Sequence, residues 1–370
     1  MVSSRPTVRA AIAVVLAACL LLGVLIATGV LTSPFRRSHV RRVQVWLRGS
    51  QATEGNEACS CVWRIGCPKF SWQTNFTSPA FRCGYQPMLE GLVTECLAER
   101  RSERGRDLRL HVAGHVREAF LVDYMRQRLW TTVERQTCRL TRPAVGPKPL
   151  DGNGSLEYSQ VRPEDGGESC EAVHVRPGLR LDYRYVDVLG PDTLGYVDHL
   201  MTECEAEGCE GDILIFSGGV GELLNSTLLD SFTGVRRFQR QYKRLLPMFI
   251  DLVSIHKMEV VVKIHEPVTD ELIPDNSMVR NDLLQEYNAL IMEQTMSTPV
   301  EVWTSHMIMK LHHIEECDLQ ANSTTPNEDR WRCEEELVAG DQCHDEYFDT
   351  IFNKVCETYI KMPLNPCCSA

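Results

Sequence analysis

LRLHVAGHVREAFLVDYM, from Leu108 to Met125, is the stretch from which the expected fold of this chain follows. Alternating apolar residues at its start predict a short buried strand, and the apolar spacing after the Ala113-Gly114 pair predicts an amphipathic helix. Many α/β enzymes place a nucleophile at such a strand-to-helix turn, where the helix N-terminus stabilises an anion. Because this turn holds alanine and glycine, it is either an active site that has lost its nucleophile or a turn that never carried one.

The alternation of strand and helix continues along the chain. Strands that alternate with helices of this length indicate βαβ crossovers and a mostly parallel sheet, whose ligands bind at the carboxyl ends of the strands. A segment at 142–170, rich in Gly, Pro and acidic residues, is typical of a surface loop. Strands are predicted at 108–113, 212–217, 258–264 and 300–304, and helices within 84–101 and around 115–130, 192–206, 229–256, 279–296 and 345–360.

The overall charge of the chain is acidic. A net charge of -11 argues against a nucleic-acid partner, since no global basic field attracts phosphates. One basic cluster, RRFQRQYKR at 236–244, has helical spacing; it is typical of a solvated helix face, and contact with an acidic glycan is the less common alternative. Its cations are Arg236, Arg237, Arg240, Lys243 and Arg244.

An apolar segment lies near the N-terminus. Residues 10–34 contain no charged side chain and are long enough to span a bilayer, which needs roughly 20 apolar residues. A cleaved signal peptide has a shorter apolar core of about 7–15 residues. We therefore expect an uncleaved signal anchor, with cleavage near Gly29 or Ser33 as the alternative.

The orientation of this segment involves conflicting signals. More arginines follow the segment than precede it, which by the positive-inside rule alone places the C-terminal part in the cytoplasm. However, 15 of the 16 cysteines lie beyond the segment, too many for a reducing compartment unless they bind metal. We therefore expect a single-pass type II protein of the Golgi or another secretory-pathway membrane, with a lumenal C-terminal domain. Four glycosylation sequons, at Asn75, Asn153, Asn225 and Asn322, agree with this orientation.

The cysteines are better explained by disulfides than by metal. Cys59, Cys61, Cys67 and the final Cys367-Cys368 pair lack the C-x-x-C hairpins that tetrahedral zinc sites favour, so we expect no metal. Because 15 is odd, one thiol is free or links two chains as a disulfide-bonded dimer.

Polar residues follow several predicted strands and form the candidate site. Gly218 and Gly219 are positioned to bring backbone N–H groups to an oxyanion, although a tight βα turn also requires glycine. Asp341 and His344 have the spacing with which a carboxylate orients a general-base imidazole; the alternative is an N-capping Asp with a surface His. Possible pocket residues are His115, Ser217 and His265.

Taken in order, these features resemble the SGNH/PC-esterase fold, and more closely the lumenal domain of the Golgi sialic-acid O-acetyltransferases. The resemblance covers roughly residues 59–368 and ends in the double cysteine. The stretches that carry it are CGYQPMLEGLVTECLAERR, LHVAGHVREAF, DILIFSGGVGELL, LVSIHKMEVVVKIHEPVTDEL, NDLLQEYNALI and DQCHDEYFDTIFNKVCETYI.

The resemblance implies a three-layer α/β/α domain with a mostly parallel sheet and a disulfide-rich N-terminal segment. In that family a G-D-S after the first strand supplies the nucleophilic serine, D-x-x-H supplies acid and base, and backbone groups near the glycines hold the oxyanion. Gly114 falls on the serine position; a shift of two residues aligns Gly114-His115-Val116 instead, and both registers lack serine. The expected parts are a cytoplasmic tail at 1–9, an anchor at 10–34, a stem at 35–58, a cysteine-rich entry segment at 59–106 and the SGNH-like domain at 107–370.

Three functions are compatible with these residues. The first is a catalytically degenerate domain that binds glycans or glycoproteins and needs no cofactor. The second is an active glycan O-acetyltransferase or acetylesterase with Ser217 as a displaced nucleophile, which would use an acetyl donor such as acetyl-CoA. The third keeps Asp341 and His344 as a base that activates water or a sugar hydroxyl directly.

Overall fold

The computed structural model describes eight parts of the chain: residues 63, 87–129, 132–136, 171–221, 231–268, 281–321, 341–356 and 359. No helix within these parts is long and apolar enough to cross a membrane. Several predicted features lie outside the described residues: the tail, anchor and stem at 1–58, the loop at 142–170, and the sequons at Asn75, Asn153, Asn225 and Asn322.

The described strands form one mixed sheet with the order β2-β3-β4-β1-β5-β6-β7. The five strands from β4 to β7 in this order run parallel, whereas β2, β3 and β4 pair antiparallel at one edge. The predicted α/β class with a mostly parallel sheet is therefore confirmed. The strands are β1 (Leu108–Gly114), β2 (Thr132–Gln136), β3 (Glu171–Arg176), β4 (Leu179–Tyr185), β5 (Ile213–Ser217), β6 (Glu259–Lys263) and β7 (Glu301–Trp303).

Seven helices are described around this sheet. All of the predicted helices are present, but α6 and the strands β2, β3 and β4 were not predicted. The last helix begins at Asp341, four residues earlier than predicted, so the D-x-x-H lies inside its first turn and not in a preceding loop. The helices are α1 (Glu90–Arg104), α2 (Val116–Leu129), α3 (Pro191–Glu207), α4 (Ser231–Ser254), α5 (Asn281–Thr295), α6 (His306–Ala321) and α7 (Asp341–Cys356).

The central strands are buried on both faces. Ile213 and Ile215 of β5 belong to one buried apolar cluster, which includes residues of α1, α2 and α7. Leu214 and Phe216 belong to a second cluster, which includes residues of α3, α4 and α5. Since successive side chains of a strand point to opposite faces, the uninterrupted apolar run of β5 is explained by packing on both sides.

Two disulfides tie the described elements together. Cys96 of α1 pairs with Cys356 of α7, and Cys204 near the end of α3 pairs with Cys209. Cys343 is the free cysteine of the described part; it is buried, which raises the pKa of its thiol to about 12. The predicted use of cysteines in disulfides is thus confirmed for these pairs, while the predicted disulfide-linked dimer stays a prediction.

Candidate functional site

The end of β1 lies between two parallel neighbours. Gly114 is the register partner of Tyr185 on β4 and of Ser217 on β5. The strand continues through Gly114 and α2 begins at Val116, so the connection is shorter than the predicted turn. The hydroxyl of Tyr183 donates to the carbonyl oxygens of Gly114 and His115, 3.2 and 3.3 Å away. These bonds fix the backbone at the position where the resemblance places the nucleophile.

Gly114 is closely covered by the side chain of Glu118. A Cβ atom added at Gly114 would lie 2.6 Å from Cγ of Glu118 and 2.8 Å from its Oε2. Glu118 is 2% exposed and its Oε1 accepts a hydrogen bond from Nζ of Lys263 at 3.1 Å. Because this ion pair holds Glu118 in place, position 114 requires a residue without a side chain.

Lys263 is the centre of a buried charge cluster that we name the Lys263 cluster: Lys263, Glu118, Glu266 and Arg117. Nζ of Lys263 donates to both Glu118 and Glu266, and Nη1 of Arg117 donates to the backbone oxygen of Glu266 at 2.7 Å. Burial lowers the pKa of Lys263, but the carboxylates of Glu266 and Glu118 outweigh it and raise the pKa above its ordinary value. Burial raises the pKa of Glu266, yet Lys263 and Arg117 hold that pKa well below its usual range. Within these four residues, two cations balance two carboxylates.

His115 follows β1 and faces the carboxylate of Asp187, which lies beside it in the connection from the neighbouring strand β4 to α3. Its Nε2 lies 3.4 Å from Oδ1 of Asp187, just beyond the end of β4, while its Nδ1 is buried with no hydrogen-bond partner among the described residues. Burial lowers the pKa of His115 to about 3, with Arg117 as a smaller contribution. The imidazole is therefore neutral at physiological pH despite the neighbouring Asp187.

His265 lies two residues beyond the end of β6, and the side chain of Asn288 binds its backbone. The side-chain amide of Asn288 accepts from the His265 N–H and donates to its carbonyl oxygen, each at 2.7 Å. The ring is buried between Phe238 and Tyr287, and its Nε2 has no hydrogen-bond partner in the described part of the chain. Burial, followed by repulsion from Arg117 and Lys263, lowers the pKa of His265 to about 3.

Ser217 is the last residue of β5, and Gly218 and Gly219 follow it at the carboxyl end of the strand. Ser217 is buried, and Gly219 has a φ of 100°, a conformation that glycine adopts without strain. Added Cβ atoms at Gly218 and Gly219 would lie 2.6 Å from Val186 and from Phe238, respectively. Both glycines are thus required by close packing of the turn, while their role toward an oxyanion stays a prediction.

His344 lies in the first turn of α7 and is 7% exposed, so the alternative of a surface histidine is wrong. Its ring packs 5.4 Å from that of Tyr124 and 6.2 Å from that of Tyr347. Tyr347 in turn lies over Nζ of Lys263, with 5.3 Å between the nitrogen and the ring centroid. The structure thus places His344 one aromatic ring away from the Lys263 cluster. The predicted pairing of His344 with Asp341 stays a prediction, since only the backbone of Asp341 is described.

A polar cleft of about 310 Å³ lies elsewhere, between β1, β4 and α3. The alternating sequence LRLDYRY of β4 directs Arg180, Asp182 and Arg184 into it, whereas Leu179 and Leu181 are buried. Nε of Arg180 donates to both carboxylate oxygens of Asp182, and Nδ1 of His111 lies 3.3 Å from the same carboxylate. The guanidinium of Arg184 lies over the ring of Tyr196 at 5.9 Å, and Gly195 lines the helix side. The cleft therefore combines charged donors and acceptors with an aromatic ring.

Sequence reasoning missed Glu118, Lys263 and Asp187 as members of the site. Lys263 carried a signal, since a lysine inside the apolar run VVVKI has to find a buried counter-charge. Glu118 and Asp187 carried none, because their partners Lys263 and His115 come from distant parts of the sequence. The cleft had a signal in the alternation of LRLDYRY, which predicts a strand with one polar face.

Replacing Gly114 with serine is expected to destabilise the protein and to create no esterase activity. Overpacking of a close-packed site typically costs about 1–3 kcal/mol, and the new side chain would press on Glu118. The check is a double-mutant cycle with Glu118→Ala, measured by urea unfolding and by hydrolysis of p-nitrophenyl acetate. Since the two residues touch, the double variant should lose less stability than the sum of the single losses. A Gly114→Ser variant as stable as the wild type would contradict the proposed clash.

No protein-family model matches the chain, and no curated protein matches it either.

Proposed function

We propose that this protein is a type II membrane glycoprotein of the secretory pathway whose lumenal, SGNH-like three-layer domain has lost catalysis and binds glycans or glycoproteins. The observation that carries the proposal is the packing at Gly114. The position expected to hold the nucleophile lacks a side chain, and the space that a side chain needs is filled by Glu118, which is ion-paired to Lys263.

The loss of a nucleophile is decisive for a covalent route. In a triad enzyme where it was measured, removal of the serine lowered kcat on the order of a million-fold. Ser217 is the register partner of Gly114, but it is 4% exposed and belongs to the adjacent strand. A displaced serine nucleophile is therefore the less favoured route.

The polar cleft supplies a place for a ligand. Its volume of about 310 Å³ lies at the lower end of the roughly 300–1,000 Å³ typical of ligand sites. The vicinal hydroxyls of a sugar ring suit a mixture of guanidinium donors, such as Arg184, and carboxylate acceptors, such as Asp182. Tyr196, with the guanidinium of Arg184 over its ring, adds an aromatic side chain to the lining.

The test of the catalytic part uses the purified full-length chain in detergent. We expect no labelling by a fluorophosphonate serine probe and no turnover of acetyl esters, with or without acetyl-CoA and a glycan acceptor. Labelling would overturn the proposal in favour of a displaced serine. Turnover without labelling that disappears in His344→Ala would overturn it in favour of direct activation of water or a sugar hydroxyl.

The binding part of the same experiment uses an array of unsulfated glycans and two variants of one residue. A Cβ atom at Gly195 meets no atom within 4 Å, so Gly195→Trp places a large side chain in the cleft without an initial clash. Gly195→Ala is the matched control, expected to bind like the wild type. Glycan binding retained by Gly195→Trp would move the ligand site away from the cleft, and absence of any glycan binding would leave only a protein partner.

A further inference from the structure

Helix α4 has a face fixed by the core and a face turned to solvent. Phe238, Tyr242, Leu245, Phe249 and Leu252 are all buried, at the three- and four-residue spacings of one helix side. They belong to the apolar cluster that includes residues of α3 and α5. The orientation of the opposite face is therefore set by packing and not by its own charges.

The opposite face carries a concentrated positive charge. All five cations of 236–244 are exposed, and no Asp or Glu occurs from residue 231 to residue 250. Within the described part of the protein, Arg236, Arg240 and Lys243 form no ion pair. This basic face stands out in a chain whose net charge is -11. Its members are Arg236, Arg237, Arg240, Lys243 and Arg244.

The cations form a straight row. Arg236, Arg240 and Arg244 follow each other at four-residue intervals, so they lie on one ridge of the helix, about 6 Å apart along its axis and about 12 Å from first to last. Like charges at this spacing repel each other, and the helix gains stability when an anion lies between them. A row of arginines also offers planar pairs of donors that match sulfate and carboxylate oxygens.

We infer that the basic face of α4 binds a sulfated polysaccharide chain laid along the helix. An extended polyanion places successive anionic groups along a line, as the row of guanidinium groups requires. A membrane surface is a poorer occupant, because the apolar side of α4 is buried in the core and cannot insert among lipids. Duplex DNA is also poorer, since the acidic remainder of the chain repels a broad phosphate surface. This inference goes beyond the proposed function and does not depend on whether the carboxyl edge is catalytic.

The experiment measures retention of the full-length chain, in detergent, on immobilised heparin. We expect the wild type to remain bound at about 0.15 M NaCl and to elute only at higher salt. The triple variant Arg236→Gln/Arg240→Gln/Arg244→Gln should bind at least about tenfold more weakly, and its log K should depend less steeply on log salt, by roughly two to three. The control, Arg101→Gln/Arg104→Gln/Lys257→Gln, removes three exposed cations elsewhere and should elute like the wild type.

Three outcomes would overturn the inference. The wild type could pass through heparin at low salt, or both triple variants could elute equally early, which would reduce the effect to net charge. The third is tighter binding to phosphatidylserine vesicles or to duplex DNA than to heparin at the same salt concentration. Circular dichroism of both variants is expected to show unchanged helix content, and it separates weaker retention caused by lost cations from weaker retention caused by unfolding.

Discussion

Lowering the pH from 7.5 to 5 is expected to remove a large part of the free energy of unfolding. Four buried histidines have lowered pKa values, chiefly because of burial: about 4 for His111 and about 3 for His115, His265 and His306. In the unfolded chain a histidine has a pKa of about 6.5, so below that pH the unfolded state binds protons that the folded state excludes.

The sign and size of the change in the free energy of unfolding follow from this difference in pKa. The stability linked to these groups is complete above pH 6.5 and falls as the pH drops toward 4 and 3, where the folded state also takes up protons. At pH 5 each histidine lowers the free energy of unfolding by roughly 2 kcal/mol, and the four together lower it by roughly 8 kcal/mol. This loss is comparable with the total stability of about 5–15 kcal/mol of many domains.

Urea unfolding of the full chain, followed by tryptophan fluorescence at pH 7.5 and pH 5, measures this loss. His265→Gln should reduce the difference between the two pH values by about a quarter, because one of the four protonation sites is gone. His199→Gln changes an exposed histidine and should leave the difference unchanged. Equal stability of the wild type at the two pH values would show that the buried imidazoles do not resist protonation.

Lys263→Met is expected to be the most destabilising single substitution in the site. It leaves Glu118 and Glu266, each 2% exposed, with Arg117 as the remaining cation of the cluster. The closest approach of Arg117 to the Glu266 carboxylate is 4.0 Å. Removing one partner of a buried ion pair costs about 3–5 kcal/mol, because an uncompensated charge stays behind.

Chemical denaturation of Lys263→Met at pH 7.5 provides the measurement, with Glu118→Gln/Lys263→Met as the matched variant. The matched variant removes one carboxylate together with the lysine and leaves Arg117 beside Glu266, so it should recover much of the loss. A single variant that loses less than about 1 kcal/mol, or a matched variant that is no better, would contradict a tightly coupled cluster.

Much of the fold was predictable because its signals are local. The apolar runs ILIFS and EVVVK and the helical spacing after Gly114 depend on neighbouring residues, and each predicted strand and helix is present in the structure. Strands β2, β3 and β4 were missed. β4 lies inside the sheet and is parallel to β1, but it alternates polar and apolar residues, whereas the parallel strands were predicted from continuous apolar runs. The last helix was predicted late, because Asp341 suggested a loop residue or a cap.

The candidate site divides in the same way. Some features can be read directly from the sequence: the absence of a serine at Gly114, the cysteine count and the spacing of the arginines on α4. The fit of Glu118 over Gly114, the approach of Asp187 to His115 and the burial of Cys343 follow from packing. Lys263 lies 145 residues from Glu118, and Cys96 lies 260 residues from Cys356. Contacts over such separations depend on how the sheet orders its strands and on which helices cover them, and this information is carried by no short stretch of the chain.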